Sequence, residues 1–157
     1  MSIEIERKFL VKNNDFIEQS FQKKKIVQGF LNRDKNCVVR VRILDDSGWL
    51  TIKGISSNDG TSRFEWEKTI AIEDAEQLLK LCEKYIIDKD RYLVKTSSNH
   101  IFEVDVFKGD NEGLIVAEVE LNTVNEDFEK PKWLGNEVTG VKKYYNSEIS
   151  KTPYKKW

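Results

Sequence analysis

Polar and apolar residues alternate with a period of two in one segment of this chain after another. Over residues 3–9, Ile3-Glu4-Ile5-Glu6-Arg7-Lys8-Phe9, the even positions are Glu, Glu and Lys and the odd ones are mostly apolar. Alternation of this kind puts the two residue classes on opposite faces of an extended strand. Val39-Arg40-Val41-Arg42-Ile43, Leu50-Thr51-Ile52-Lys53, Arg63-Phe64-Glu65-Trp66-Glu67, Phe102-Glu103-Val104-Asp105-Val106 and Val116-Ala117-Glu118-Val119-Glu120-Leu121 repeat it. A weaker version covers residues 89–95, with Lys89, Arg91 and Lys95 on one parity, and the less charged residues 26–31 add one more strand.

Turn-forming clusters separate these runs: Asp45-Asp46-Ser47-Gly48, Ser57-Asn58-Asp59-Gly60, Ser97-Ser98-Asn99 and Gly109-Asp110-Asn111-Glu112-Gly113. About eight strands joined by hairpin-length loops predict an antiparallel sheet or barrel. Helical spacing is rarer. Residues 72–82 place Ala75, Leu78, Leu79 and Cys82 on one stripe, with acids in the first turn. A short helix is expected over 15–21 and a last one from about 141 to 149. The expected class is α+β, mostly β, in a single domain spanning residues 1–157.

Charge sharpens this picture. The chain holds 26 basic and 27 acidic residues, a net charge of −1, with 34% charged and 39% hydrophobic residues. Near-neutrality argues against a nucleic-acid binder that relies on an overall basic field. The charges are paired by sign at i and i+2: Glu4/Glu6, Arg40/Arg42, Glu65/Glu67, Lys89/Arg91, Glu103/Asp105 and Glu118/Glu120. Such side chains lie about 7 Å apart on one strand face, so each pair repels itself unless opposite charge intervenes. Any one strand alone reads as a solvated face. Together they fit a closed barrel with a charged lumen and therefore a highly charged ligand. Carboxylate pairs supply hard oxygen ligands for Mg²⁺ or Mn²⁺, and Arg and Lys suit phosphate oxygens. No Gly-x-x-x-x-Gly-Lys-Ser/Thr loop is present to hold phosphate instead.

Glu4-Ile5-Glu6-Arg7-Lys8 resembles the Glu-x-Glu-x-Lys signature that opens CYTH domains, the triphosphate tunnel metalloenzymes. The charged strands follow in that family's order, and so do Trp133-Leu134-Gly135-Asn136-Glu137-Val138-Thr139 and Tyr145-Asn146. The resemblance implies a closed eight-stranded antiparallel barrel with a few flanking helices, whose tunnel binds triphosphate. It implies Glu4, Glu6, Glu118 and Glu120 as metal ligands, and Lys8, Arg40, Arg42, Lys53, Lys89 and Arg91 as triphosphate ligands. Lys8, Glu118, Arg40 and Arg42 would carry the catalysis. Glu65, Glu67 and Asp105 share the inward parity, with three roles open: placing waters, orienting the bases, or a second metal. Arg63 shares it near a turn, and Lys143 stands where many relatives carry Arg.

The expected activity is metal-dependent hydrolysis of tripolyphosphate, as in the short bacterial tripolyphosphatase branch. The alternatives are a class IV-type adenylate cyclase, a nucleoside or thiamine triphosphatase, or a non-catalytic polyphosphate-binding module. The last is disfavoured by the intact carboxylate pairs, and no adenine or thiamine pocket is legible, since Trp49 and Trp66 read as packing residues. Cys37, Cys82 and His100 make no framework or zinc site. With no leader-like start, no apolar run near ~20 residues and strands short of the ~9–11 residues of a membrane barrel, a soluble cytoplasmic protein is expected. It would be a monomer or a homodimer that engages a small-molecule triphosphate rather than nucleic acid or membrane.

Overall fold

The alternating segments close on themselves. The computed structural model describes residues 2–157. Its first eight strands are β1 (Ser2–Val11), β2 (Gln22–Asn32), β3 (Val38–Leu44), β4 (Ser47–Ser56), β5 (Ser62–Ile70), β6 (Glu83–Lys95), β7 (Ile101–Phe107) and β8 (Ile115–Glu120). They form a ring in the order β1-β5-β4-β3-β2-β6-β7-β8 and back to β1, with every pairing antiparallel. All eight expected strands are present, each longer than its alternating run except β8, which is the same length and shifted by one residue. Closure removes the exposed edges that would otherwise invite association.

A ninth strand, β9 (Leu134–Glu137), was not expected from Leu134-Gly135-Asn136-Glu137, which does not alternate. It pairs with β1 at Phe9 and Val11, while β5 pairs with β1 over residues 2–5. The two thus share one edge of β1.

The helices are α1 (Phe16–Gln19), α2 (Ile72–Leu81) and α3 (Asn146–Lys151). The first is shorter than expected because strand pairing takes over: Phe21 N–H already donates to the Leu93 carbonyl at 2.9 Å. The expected helix over 141–149 divides at Tyr145, which is extended (ψ 136°) between a 3₁₀ turn at Lys142–Tyr144 and α3. Helix α2 lies on β2, β3 and β4. Ala75 on its expected stripe is fully buried, whereas Leu78, Leu79 and Cys82 are half-buried. Gly48 admits this close approach, since a Cβ there would sit 2.9 Å from both the Ala75 Cβ and the Ile70 carbonyl oxygen.

Two apolar clusters hold the barrel. Outside it, Phe9, Phe102, Val104, Ala117 and Val119 pack with Phe16 of α1 and with Trp133. The Trp133 indole is 1% exposed, lies edge-on to Phe16 and Phe102, and donates to Gln19 Oε1 at 3.0 Å. Inside, Phe30, Val38, Ile87, Phe107 and Val116 share the parity of the charged residues but sit at one end, where Ile149 of α3 packs on them. The charged lumen therefore has an apolar floor. Trp133→Ala should lower the unfolding free energy by about 3–5 kcal/mol in urea titrations. Leu81→Gln, at an exposed position, should change it by less than about 0.5 kcal/mol. Equal losses would contradict this division between core and surface.

Candidate active site

The register decides which charges meet. On β1 and β8, Glu6 stands opposite Glu120 and Lys8 opposite Glu118, while β7 brings Glu103 opposite Glu118. Four acids and one lysine thus share three neighbouring strands. On the other wall, Arg42 stands opposite Gln28 and Trp49, Arg40 opposite Thr51, Lys53 opposite Glu65, and Thr51 opposite Glu67. The two walls enclose a cavity of about 270 Å³.

Twelve residues singled out in the sequence line it: Glu4, Glu6, Lys8, Arg40, Arg42, Lys53, Arg63, Glu65, Glu67, Arg91, Glu118 and Glu120. Lys89 and Asp105 do not reach its surface. Lys89 is fully buried, donating to Asp105 Oδ2 at 2.7 Å and to Asn146 Oδ1 at 3.0 Å. Asp105 also accepts a fork of two hydrogen bonds from Arg91, at 2.8 and 3.0 Å. Burial opposes ionisation of Asp105, but Arg91 and then Lys89 outweigh it and hold its carboxyl below the ordinary range. Lys89 is then a second cation on a satisfied carboxylate. Burial, with Arg91 and Arg42 nearby, pushes it down to about 7.

Lys143 stays outside the cavity. Its ammonium lies over the rings of Tyr144 and Trp157, at 5.3 and 4.7 Å. Arg63 is turned by its own strand pair, donating from Nε and Nη2 to the Gly54 carbonyl.

Other lining residues were not among the candidates. Glu103, set beside Asp105 by alternation but without an expected role, pairs with Arg91 at 3.1 Å. Thr139, Tyr145 and Asn146 come from the segment after β9, whose sequence has no periodicity to place it. The Lys8 ammonium donates to the Tyr144 carbonyl at 3.1 Å and lies 5.2 Å from the Tyr145 ring. Gly60 and Gly140 meet so closely over this side that a Cβ on Gly60 would fall 2.3 Å from the Gly140 Cα. Both take positive φ, 78° and 76°, which glycine adopts without strain.

The acids are frustrated in pairs. Burial, and then the charges of Glu118 and Glu4, push Glu6 well above the carboxylate range. Burial acts the same way on Glu118, but Lys8, the hydrogen bond from Glu6 and then Arg91 hold it well below that range. Between these two carboxyl groups a proton is therefore favoured on Glu6 and disfavoured on Glu118. A second pair repeats the arrangement. Burial and the hydrogen bond to Glu4 raise Glu65 to about 7, while Glu4, despite its own burial, is kept low by Lys53 at 3.0 Å.

Among the described residues no three acids, histidines or cysteines are arranged as a ready ligand shell for a metal. The donor set nevertheless fits a hard divalent cation. Carboxyl groups that share a proton at hydrogen-bond distance offer several oxygens to a charge that would replace that proton.

The model of the CYTH domain matches residues 2–154. The chain belongs to the CYTH domain family. An inorganic triphosphatase of Acetivibrio thermocellus is 45% identical to it over 157 residues, covering 99% of this chain and 97% of that one. An inorganic triphosphatase of Nitrosomonas europaea is 34% identical over 152 residues, covering 94% and 96%. The solved structure of the inorganic triphosphatase NE1496 superposes with a TM-score of 0.68 at 31% identity, covering 94% of this chain and 97% of that one. This CYTH barrel contains no helix, among the described residues, long and apolar enough to cross a membrane.

The titration of the pairs has a sign. Glu6 and Glu65 are raised, so what they contribute to stability is full below about pH 4.5 and is lost as pH rises through their folded values, near 7 for Glu65. Glu118, Glu4 and Asp105 are lowered, so their contribution is present above the ordinary carboxylate range and is lost as pH falls. Without divalent cations, Tm should therefore decline from pH 5 to pH 7, below the range in which Lys89, lowered to about 7, adds stability as pH rises, and Glu65→Gln should flatten the decline. A wild-type Tm that rises over this interval in chelator would contradict the pairing.

Proposed function

We propose that the protein is a metal-dependent hydrolase of inorganic tripolyphosphate, working with Mg²⁺ or Mn²⁺. The observation that carries this reading is a single cavity lined by Glu4, Glu6, Glu118 and Glu120 on β1 and β8 and by Arg40, Arg42, Lys53 and Arg91 on other strands. The names of relatives 45% and 34% identical over nearly their whole lengths support it.

Glu6 and Glu118, flanked by Glu4 and Glu120, would hold the cation. Once bound, it would supply charge neutralisation at phosphate oxygens and a more acidic water. Arg40, Arg42, Arg91, Lys8 and Lys53 bind the chain of phosphates and spread its charge, with Lys53 shared by Glu4. Glu118 keeps its negative charge beside Lys8, at 3.7 Å, and accepts a hydrogen bond from the attacking water. The apolar floor and the Gly60–Gly140 contact keep bulk water from that end of the bound chain.

Phe30 and Tyr145 are the aromatic residues in the lining. Phe30 belongs to the apolar floor, and the Tyr145 ring lies beside the Lys8 ammonium. Neither leaves a platform for a nucleobase or a thiazolium ring, so a bare phosphate chain is the better fit.

Incubation with Mg²⁺ or Mn²⁺ should release phosphate from tripolyphosphate faster than from ATP, without forming cyclic AMP. Glu4→Gln and Glu6→Gln should abolish metal-dependent turnover while the protein stays folded. Arg40→Ala should lower kcat by about 10²–10³-fold, the usual loss when a donor to developing charge is removed. Phosphate release from ATP alone, or cyclic AMP formation, would overturn the proposal.

A further inference from the structure

Arg42 is a half-buried cation of this cavity without an acidic partner; Arg63, which also makes no salt bridge among the described residues, is already tied by two hydrogen bonds to the Gly54 carbonyl. Lys8, Arg40, Lys53 and Arg91 each stand within salt-bridge distance of a carboxylate. Among the described residues, Arg42 makes no such bridge. Its cross-strand neighbours are Gln28 on β2 and Trp49 on β4, both neutral. Its Nε donates to Gln28 Oε1 at 2.9 Å. Burial, and then the nearby charges of Arg40 and Arg91, work against its positive charge, with Asp105 and Glu103 as weaker opposing influences. An arginine keeps its proton under such pressure, so the imbalance stays in the folded protein.

Gln28 is fully buried, and its Nε2 has no hydrogen-bond partner. The fold therefore tolerates an orphaned amide group to keep an uncharged oxygen at this position. A carboxylate would satisfy Arg42 better but would also cancel the charge that a phosphate oxygen needs to meet.

We infer that Gln28 is a positioning residue, a neutral acceptor that aims the Arg42 guanidinium into the cavity while leaving its charge for the triphosphate. Gln28 touches no substrate and acts through Arg42, so the inference rests on the reading of Arg42 as a triphosphate ligand. The other tunnel cations with neutral contacts follow the same logic in weaker form. Lys8 donates to the Tyr144 carbonyl and Arg40 Nη2 to Thr51 Oγ1 at 3.1 Å, but each also has an acid within reach.

The test compares wild type, Gln28→Glu and Gln28→Met, with steady-state hydrolysis of tripolyphosphate and Tm measured with and without it. Gln28→Glu gives Arg42 a counter-charge. It should raise the Tm of the free protein, shrink the Tm gain produced by tripolyphosphate, and raise KM about tenfold to hundredfold. Gln28→Met keeps the volume but removes the acceptor, and should raise KM while lowering the Tm of the free protein. A merely structural Gln28 would lower Tm in both variants and leave KM unchanged, and that result overturns the inference. If Gln28→Glu does not fold, the KM of Gln28→Met decides alone. If wild type neither gains Tm from tripolyphosphate nor hydrolyses it, the triphosphate reading falls and the role of Gln28 falls with it.

Discussion

Like charges two residues apart on one strand face repel each other, and a barrel that turns several such faces inward must place opposite charge between them. Asp105 does this for Lys89 and Arg91 on β6, and Lys53 stands likewise between two acids of different strands, Glu4 on β1 and Glu65 on β5. The register extends this interleaving across the lumen but does not complete it. Around β1, β7 and β8 the acids Glu6, Glu103, Glu118 and Glu120 crowd one another. At β3, Arg42 is left without an acid. These two residual imbalances have opposite sign and share one cavity. A cation on one side and a polyanion on the other would relieve both.

Such a site costs stability. Burying ionised groups without full compensation is unfavourable by several kcal/mol per ion even after relaxation, and burial favours the neutral form of Glu6 and Glu65. The barrel offsets it with apolar material at two places. The Trp133 cluster grips the outside, and the layer under Ile149 seals one end of the lumen. Closure of the sheet through the β1–β5 and β1–β8 seams then fixes the register, on which every pairing in the cavity depends. A shift by one residue would turn the charges outward and the valines inward.

Alternation made the barrel legible, because inward and outward faces differ in polarity on the strands that line the lumen other than β2. The same signal placed twelve of the candidate side chains in one cavity. It failed where polarity does not vary with period two. The strand β9 offers four residues without a pattern, and the Thr139–Asn146 segment is positioned by its contacts with Lys8, Gly60 and Lys89. Parity also cannot tell depth. Lys89 and Asp105 face inward as expected yet lie beneath the cavity surface. Gln28 went unnoticed because it is uncharged, although its value to Arg42 lies in that neutrality. Lys143 was singled out by likeness of position alone, and its contacts are with aromatic rings outside the cavity.

A divalent cation bound at the proposed Glu6–Glu118 site would displace the proton that the pair favours on Glu6. Calorimetric titration of the protein with Mn²⁺ at pH 7, repeated in buffers of different ionisation enthalpy, counts the protons released on binding. Proton release on Mn²⁺ binding, reduced in Glu6→Gln, is the expected result. Binding of Mn²⁺ with no proton released would contradict it.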